Sequence, residues 1–272
     1  MSPSRWFPPR RLVAVDAHDG TDPPAASRLV ATALAAEPGA GIVRPTERTR
    51  ALLVGLPSAP IVAVVPDLAQ LLHDVAARGA PRAAGSRLAA GGARACGRLA
   101  ATSLRHLTDL VRQDLRGIIP VLIELERARL GRVAPAGVAL AAALTDLLLA
   151  AGHAECLAHV VRFLRRAGAR AGFETQNLGH LLPRLASWNV TPDFVIGPMN
   201  PRGFRMKPTA RAVLEAVRRS PTPVLASELS AVATVPLADA IAYAHAQGAA
   251  GVVVSLSELA AAEGSRAQPR SP

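Results

Sequence analysis

Two parts of this chain hold side chains whose types and spacing could do chemistry. The first is VDAHDGTD (15–22), where Asp16, His18, Asp19 and Asp22 fall within a few residues of one another. Carboxylates clustered around an imidazole can take a divalent cation or move protons. Asp-Gly is also strong turn chemistry, so the same stretch reads equally well as an acidic turn. The second part is dispersed through ETQN (174–177), NPRGFRMKP (200–208) and ASELS (226–230). Glu174 and Glu228 are further acid–base candidates, and Gln176, Asn177 and Asn200 offer amides for ligand hydrogen bonds. Arg202 and Arg205 flank the approach to Lys207, the only lysine in the chain. Guanidinium forks bind carboxylate or phosphate in a bidentate manner, which makes this loop an anion-binding candidate. A buried Lys207 could instead form a Schiff base, a reading that the neighbouring arginines disfavour.

Other signatures are absent. There is no GxGxxG or GxxxxGK[ST] phosphate loop, no GxSxG elbow, and no HExxH or CxxC metal motif, so no metal ligand is assigned. His106, His153, His159 and His180 lie in helix-like segments and read as surface or core-packing residues, and Tyr243 reads as a packing residue. Thr145 or Asp146 reads as a helix cap, and so does Ser257.

Something must position these residues. Short apolar runs bounded by Pro, Gly or Asp recur along the chain, as strands buried on both faces do. The candidates are RLVAVD (11–16), IVAVVP (61–66), GRLAAT (97–102), GVALAA (137–142), RAGFET (170–175), DFVIGP (193–198), PVLASE (223–228) and GVVVSL (251–256). ALLVGL (51–56) competes for the second place. Amphipathic segments separate them. In TARAVLEAVRRS (209–220), Ala212, Val213, Ala216 and Val217 share one face and arginines the other. Residues 79–95, rich in Gly, Ala and Arg, read as a loop, and 103–131 as a helix broken near Gly117 and Pro120. Eight strand–helix alternations predict a single-domain (β/α)8 barrel of the TIM type over 10–263, with tails at 1–9 and 264–272. An open doubly wound sheet is the alternative. In a barrel the functional face lies at the carboxyl ends of the strands, which is where the candidate residues fall.

The chain is basic, with net charge +11 and pI near 11.4, but its arginines are spread from end to end and aromatics are only 3%. That composition lacks stacking platforms for single strands, so nucleic acid is a minority reading. Cys96 and Cys156 have no partner-like spacing and read as buried thiols in a reducing cytoplasm. MSPSRWFPPRR has no apolar core after its charges, and 137–152 is interrupted by Thr145 and Asp146, so no signal peptide or membrane span is expected.

The region 170–258 resembles the carboxyl-terminal half of the aldo-keto reductase barrel. GFETQN-L (172–178) stands where that family has a GVSNF-like motif, and PMNP (198–201) where it has Tyr-His-Pro or Tyr-Asn-Pro. ASELS (226–230) takes the place of Ser-Pro-Leu, and GVVVSLS (251–257) completes the order. NPRGFRMKP with TDLLLA (145–150) also resembles a group of uncharacterised barrels related to that superfamily. The resemblance implies a barrel and places Gln176, Asn177 and Ser227 where the family contacts its cofactor. The family's Asp, Tyr, Lys and His come from the first four strands, whereas Tyr243 and Lys207 both lie in the second half. Ile196 and Met199 replace its cofactor-stacking pattern. A standard nicotinamide-dependent carbonyl reductase is therefore not implied, and the cofactor is left open.

The leading expectation is a divergent barrel enzyme acting on a small, polar, anionic metabolite. Asp16, His18 and Asp19 would face Glu174 and Glu228 as acid–base or metal-assisted groups. Gln176, Asn177, Asn200, Arg202, Arg205 and Lys207 would bind substrate. The rival is a non-catalytic barrel that binds a ligand or another protein. Substrate and oligomeric state are not legible in the sequence.

Overall fold

The computed structural model describes residues 11–14, 32, 40–46, 49–50, 60–230 and 235–267. Eight strands make one sheet: β1 Arg11–Ala14, β2 Ala40–Val43, β3 Ile61–Val65, β4 Gly137–Leu140, β5 Arg170–Glu174, β6 Phe194–Pro198, β7 Val224–Ser227 and β8 Gly251–Val254. Every neighbouring pair is parallel, and β8 returns to pair with β1, so the sheet closes. This is a (β/α)8 barrel and not an open doubly wound sheet.

Alternation along the strands separates two cores. Leu12, Ile42, Val64, Phe194, Ile196 and Leu225 pack together inside the barrel. Residues of the opposite parity, such as Val43, Ala171, Phe173, Val195 and Val254, pack outward against the helices. Inside, Gly172 gives room to the Phe194 ring, since a Cβ there would lie 2.3 Å from it.

Between β3 and β4 the chain makes α1 Leu68–Arg78, α2 Ala80–Arg105, α3 Leu107–Val111 and α4 Leu115–Ala128. α5 Ala142–Ala150 and α6 Ala154–Arg166 follow β4. One described helix follows each later strand: α7 Leu178–Ser187, α8 Ala210–Arg219, α9 Leu237–Ala246 and α10 Leu256–Ala267. In α8, Thr209 accepts a hydrogen bond from the Ala212 N–H; Val213, Ala216 and Val217 are buried and the arginines exposed. That is the amphipathic pattern expected of 209–220.

The first half departs from expectation in four places. GRLAAT (97–102) is not a strand but part of α2, because Ala, Leu and Arg favour helix and nothing β-branched opposes them before Thr102. The second strand is Ala40–Val43, too short and too poor in β-formers to stand out. Residues 80–95, expected as loop, are helical, with a kink at Gly92 (φ 63°). The break expected near Gly117 and Pro120 falls at His106 and again at 112–114 instead, and both residues lie inside α4. ALLVGL lies outside the described residues apart from its flanks. α10 runs to Ala267, beyond the expected domain end at 263. Cys156 is buried as expected, whereas Cys96 is exposed on α2. No helix among the described residues is long and apolar enough to cross a membrane.

Candidate functional site

Parity along the strands decides which side chains reach the mouth. Following the inward-facing positions two residues towards the carboxyl end selects Arg44 after Ile42, Glu174 after Gly172, Ser227 after Leu225 and Ser255 after Val253, with Glu174 and Ser227 closing their strands. The apolar interior thus ends in a polar layer at the carboxyl ends of the strands.

Arg44 and Glu174 meet there. Arg44 Nη2 donates to Glu174 Oε1 at 2.7 Å, with 30% and 15% of the two side chains exposed. Glu174 Oε2 accepts from the Ala142 N–H at 3.1 Å. Ala142 opens α5, so the carboxylate also sits at a helix amino terminus, where negative charge is favoured. With both oxygens engaged, Glu174 is a holder of Arg44 and of α5 before it is a base.

The turn after β5 is tied to α5 by Asp146. Thr175 Oγ1 donates a hydrogen bond to Asp146 Oδ1, and the Gln176 N–H donates to Oδ2 at 3.0 Å. Thr175 Oγ1 also accepts from the Asn177 N–H at 2.8 Å. Asp146 therefore braces the next loop and does not cap its own helix; Thr145 donates to the Leu140 carbonyl. Asn177 precedes α7 at the N-cap position, but its side chain makes no capping bond. The amides of Gln176 and Asn177, both half-buried, have no side-chain partner among the described residues. The same holds for the half-buried hydroxyl of Ser227.

The loop after β6 divides its expected ligand groups. Asn200 is wholly buried: its amide accepts from the Phe204 N–H and donates to the Phe204 carbonyl, both at 2.9 Å. It closes the turn that Pro201 and Gly203 (φ 70°) shape, and so is not offered to a ligand. Arg205 stacks over the Phe204 ring at 5.2 Å and donates to Glu228 Oε1 at 2.8 Å. These two expected site residues thus engage each other, and both adopt left-handed backbone, φ 56° and 55°. Arg202 and Lys207 are exposed and have no partner among the described residues. The Lys207 carbonyl accepts from the Gly179 N–H at 3.1 Å, anchoring the loop to the start of α7.

Glu258 links the last two loops. Oε1 accepts from Ser230 N and Oγ, Oε2 accepts from Ser255 N and Oγ, and the Glu258 N–H donates to Ser255 Oγ. This is a reciprocal capping box at the start of α10, so Ser255 is the cap and not Ser257.

Asp16, His18 and Asp19 lie outside the described residues. Among those described, no group of three or more His, Cys, Asp and Glu could hold a metal ion. Arg44 and Asp146 are the mouth residues that the sequence reading missed. The available signal was GIVR (41–44), a two-residue step from an inward isoleucine to an arginine, visible only once AGIV is taken as a strand.

Fold and mouth together define a parallel eight-stranded barrel whose carboxyl-end layer is polar and charged. A solved Pseudomonas aeruginosa chain, provisionally assigned as an aldo-keto reductase, is similar in fold. The match covers 94% of this chain and 90% of that one, with a TM-score of 0.52 and 16% identity. At that identity the likeness is one of fold. No protein-family model and no curated protein matches the chain.

Proposed function

We propose that this barrel is an enzyme acting on a small, polar, anionic metabolite at the carboxyl-end mouth. The observation that carries the reading is the inward Arg44–Glu174 pair, ringed by the uncommitted polar groups of Gln176, Asn177 and Ser227. A carboxylate or phosphate entering the mouth competes with Glu174 for the Arg44 guanidinium, which forms strong charge-assisted hydrogen bonds. Arg202 and Lys207, exposed beside the mouth, attract the anion at longer range. The Arg205–Glu228 bridge holds the loops after β6 and β7 in place around it. Acid–base work falls to Asp16, His18 and Asp19. They follow β1 in the chain, and β1 sits between β2 and β8, the strands leading to Arg44 and Ser255. By the resemblance stated above, Gln176, Asn177 and Ser227 are also the positions where a cofactor would be contacted.

The rival reading is a non-catalytic ligand-binding or interaction barrel. It is favoured by one observation: both oxygens of Glu174 are already engaged, and Glu228 is bonded to Arg205. A thermal-shift screen of small carboxylates and phosphate esters, with and without nicotinamide cofactors and divalent metals, separates the two. On the enzyme reading, an anion raises Tm, Arg44→Met and Lys207→Ala reduce that rise, and Asp16→Asn abolishes turnover while preserving binding. Failure of every anion to stabilise the protein would sink the mouth as a binding site, and binding without turnover under any cofactor would favour the rival.

A further inference from the structure

A second cationic site lies at the other end of the barrel. A cleft of about 540 Å³ opens between the kink of α2, the end of α4 and the segment that leads into the amino end of β4. Arg94, Arg98, Arg127 and Arg132 line it, beside Gly92 and Val133. Among the described residues one carboxylate answers them: Glu124, 4% exposed, accepts from Arg98 Nε at 3.0 Å and from Arg127 Nη1 at 2.8 Å. Four guanidinium groups against one carboxylate leave three positive charges. Arg94 and Arg132 are exposed and have no partner among the described residues. Arg127 is nine-tenths buried, and its Nε–H has no acceptor among the described residues. A buried donor left unmet is costly, so something outside the described residues is expected to answer the charge here. Burial also presses the Arg127 guanidinium towards its neutral form, with Glu124 opposing.

We propose that this cleft binds a small multivalent anion bearing phosphate groups. Planar guanidinium forks match phosphate oxygens in a bidentate manner. The volume lies within the range of about 300–1,000 Å³ usual for small-molecule sites. No aromatic side chain lines the cleft, so it offers charge without base stacking. At Gly92 (φ 63°) no atom lies within 4 Å of where a Cβ would stand, so the backbone itself is open to an incoming ligand. The cleft adjoins the start of β4 whereas Glu174 ends β5, so it is separate from the mouth and does not depend on the function proposed there.

Calorimetric titration of the full chain with inorganic pyrophosphate and with tripolyphosphate, at constant ionic strength, tests this. Saturable binding is expected, about tenfold weaker for each exposed arginine removed in Arg94→Gln and Arg132→Gln. Arg44→Met at the mouth should leave the affinity unchanged. Arg94 and Arg132 are exposed and make no bond among the described residues, so their replacement leaves folding intact, as circular dichroism would verify. Three outcomes overturn the proposal: no binding heat, an affinity that Arg94→Gln with Arg132→Gln does not alter, or binding confined to an oligonucleotide with none to either polyphosphate. If Arg44→Met alone abolishes binding, the polyphosphate sits at the mouth and the cleft is not its site.

Discussion

The segment between β3 and β4 and the half of the barrel from β5 to β8 are held together by different physics. Asp74, Arg87, Glu124 and Glu126, the buried Asp, Glu and Arg residues among those described, all lie on α1, α2 and α4. Arg87 is 1% exposed and bonds Glu126 Oε1 at 2.7 Å, with Asp74 Oδ2 at 2.8 Å on its other side. From β5 onward the buried polar residues are the uncharged Thr175, Asn200 and Thr222. There the packing is apolar, with ring-to-glycine contacts such as Phe194 on Gly172. A helix layer rich in alanine and glycine offers little side-chain volume, and long arginines reaching carboxylates fill the space that leucines would fill elsewhere. The cost is that each buried charge depends on its partner.

That contrast can be broken by experiment. The largest effect is expected from Glu126→Ala, which takes the Nε partner from the buried Arg87 guanidinium and leaves it with Asp74 alone. About 3–5 kcal/mol of stability should be lost, read as a lower urea midpoint. Replacing both partners together, Arg87→Met with Glu126→Leu, should cost less, because only Asp74, which Gln70 still bonds, is then left without its arginine. If the double change is as damaging as the single one, the segment is not held by charge pairing.

Gly172→Ala probes the other region. Its Cβ would press on the Phe194 ring, and overpacking of this kind costs about 1–3 kcal/mol. Phe194→Leu in the same chain should recover part of the loss, giving a non-additive cycle in thermal unfolding. Additive losses would mean that the two residues do not share a packing constraint.

Smaller effects sharpen the picture at the surface. Glu228→Gly relieves a left-handed backbone worth about 1–2 kcal/mol and removes an exposed ion pair worth at most about 1 kcal/mol. A slight net rise in Tm is expected, and a marked fall would show that the Arg205–Glu228 bridge matters more than its exposure suggests. Asp114, at the start of α4, is held at a pKa of about 2 against the usual 3.8, chiefly by the Arg116 side chain and then by the Arg116 N–H. A lowered carboxylate pKa adds stability above the unfolded value, and that stability is lost as pH falls from about 4 towards about 2. Asp114→Asn should therefore lower Tm slightly at neutral pH and flatten the fall in Tm across that acid range. An unchanged acid profile would contradict the assignment.

The same two regions differ in how far they can be read from the sequence. β4 to β8 announce themselves as apolar runs between Gly, Pro and Asp, each followed by an amphipathic helix. In the segment after β3 the composition of 79–105 hides its structure. Glycines at 79, 85, 91, 92 and 97 suggest loop, while alanine and arginine supply helix propensity that the glycines only dilute. Gly91 is needed for contact, since a Cβ there would lie 2.8 Å from the Ala128 carbonyl oxygen. At the mouth, Glu174, Gln176, Asn177 and Ser227 were found because each follows a legible strand. Arg44 was missed with its strand, and Asp146 was misjudged because a carboxylate on a helix suggests a local cap before a distant brace.

By itself the sequence determined the period of the elements, the barrel class that eight such units imply, and the end of the barrel where polar residues collect. These follow from local alternation and from the fixed placement of loops on parallel strands. Only the tertiary structure decided which charges meet. Arg44 and Glu174 are 130 residues apart, and Arg87 and Glu126 are 39 apart. A Coulomb contact leaves no mark on local periodicity. It depends on which ends of which strands and helices the closed sheet brings within a few ångströms, and closure is a property of the whole chain.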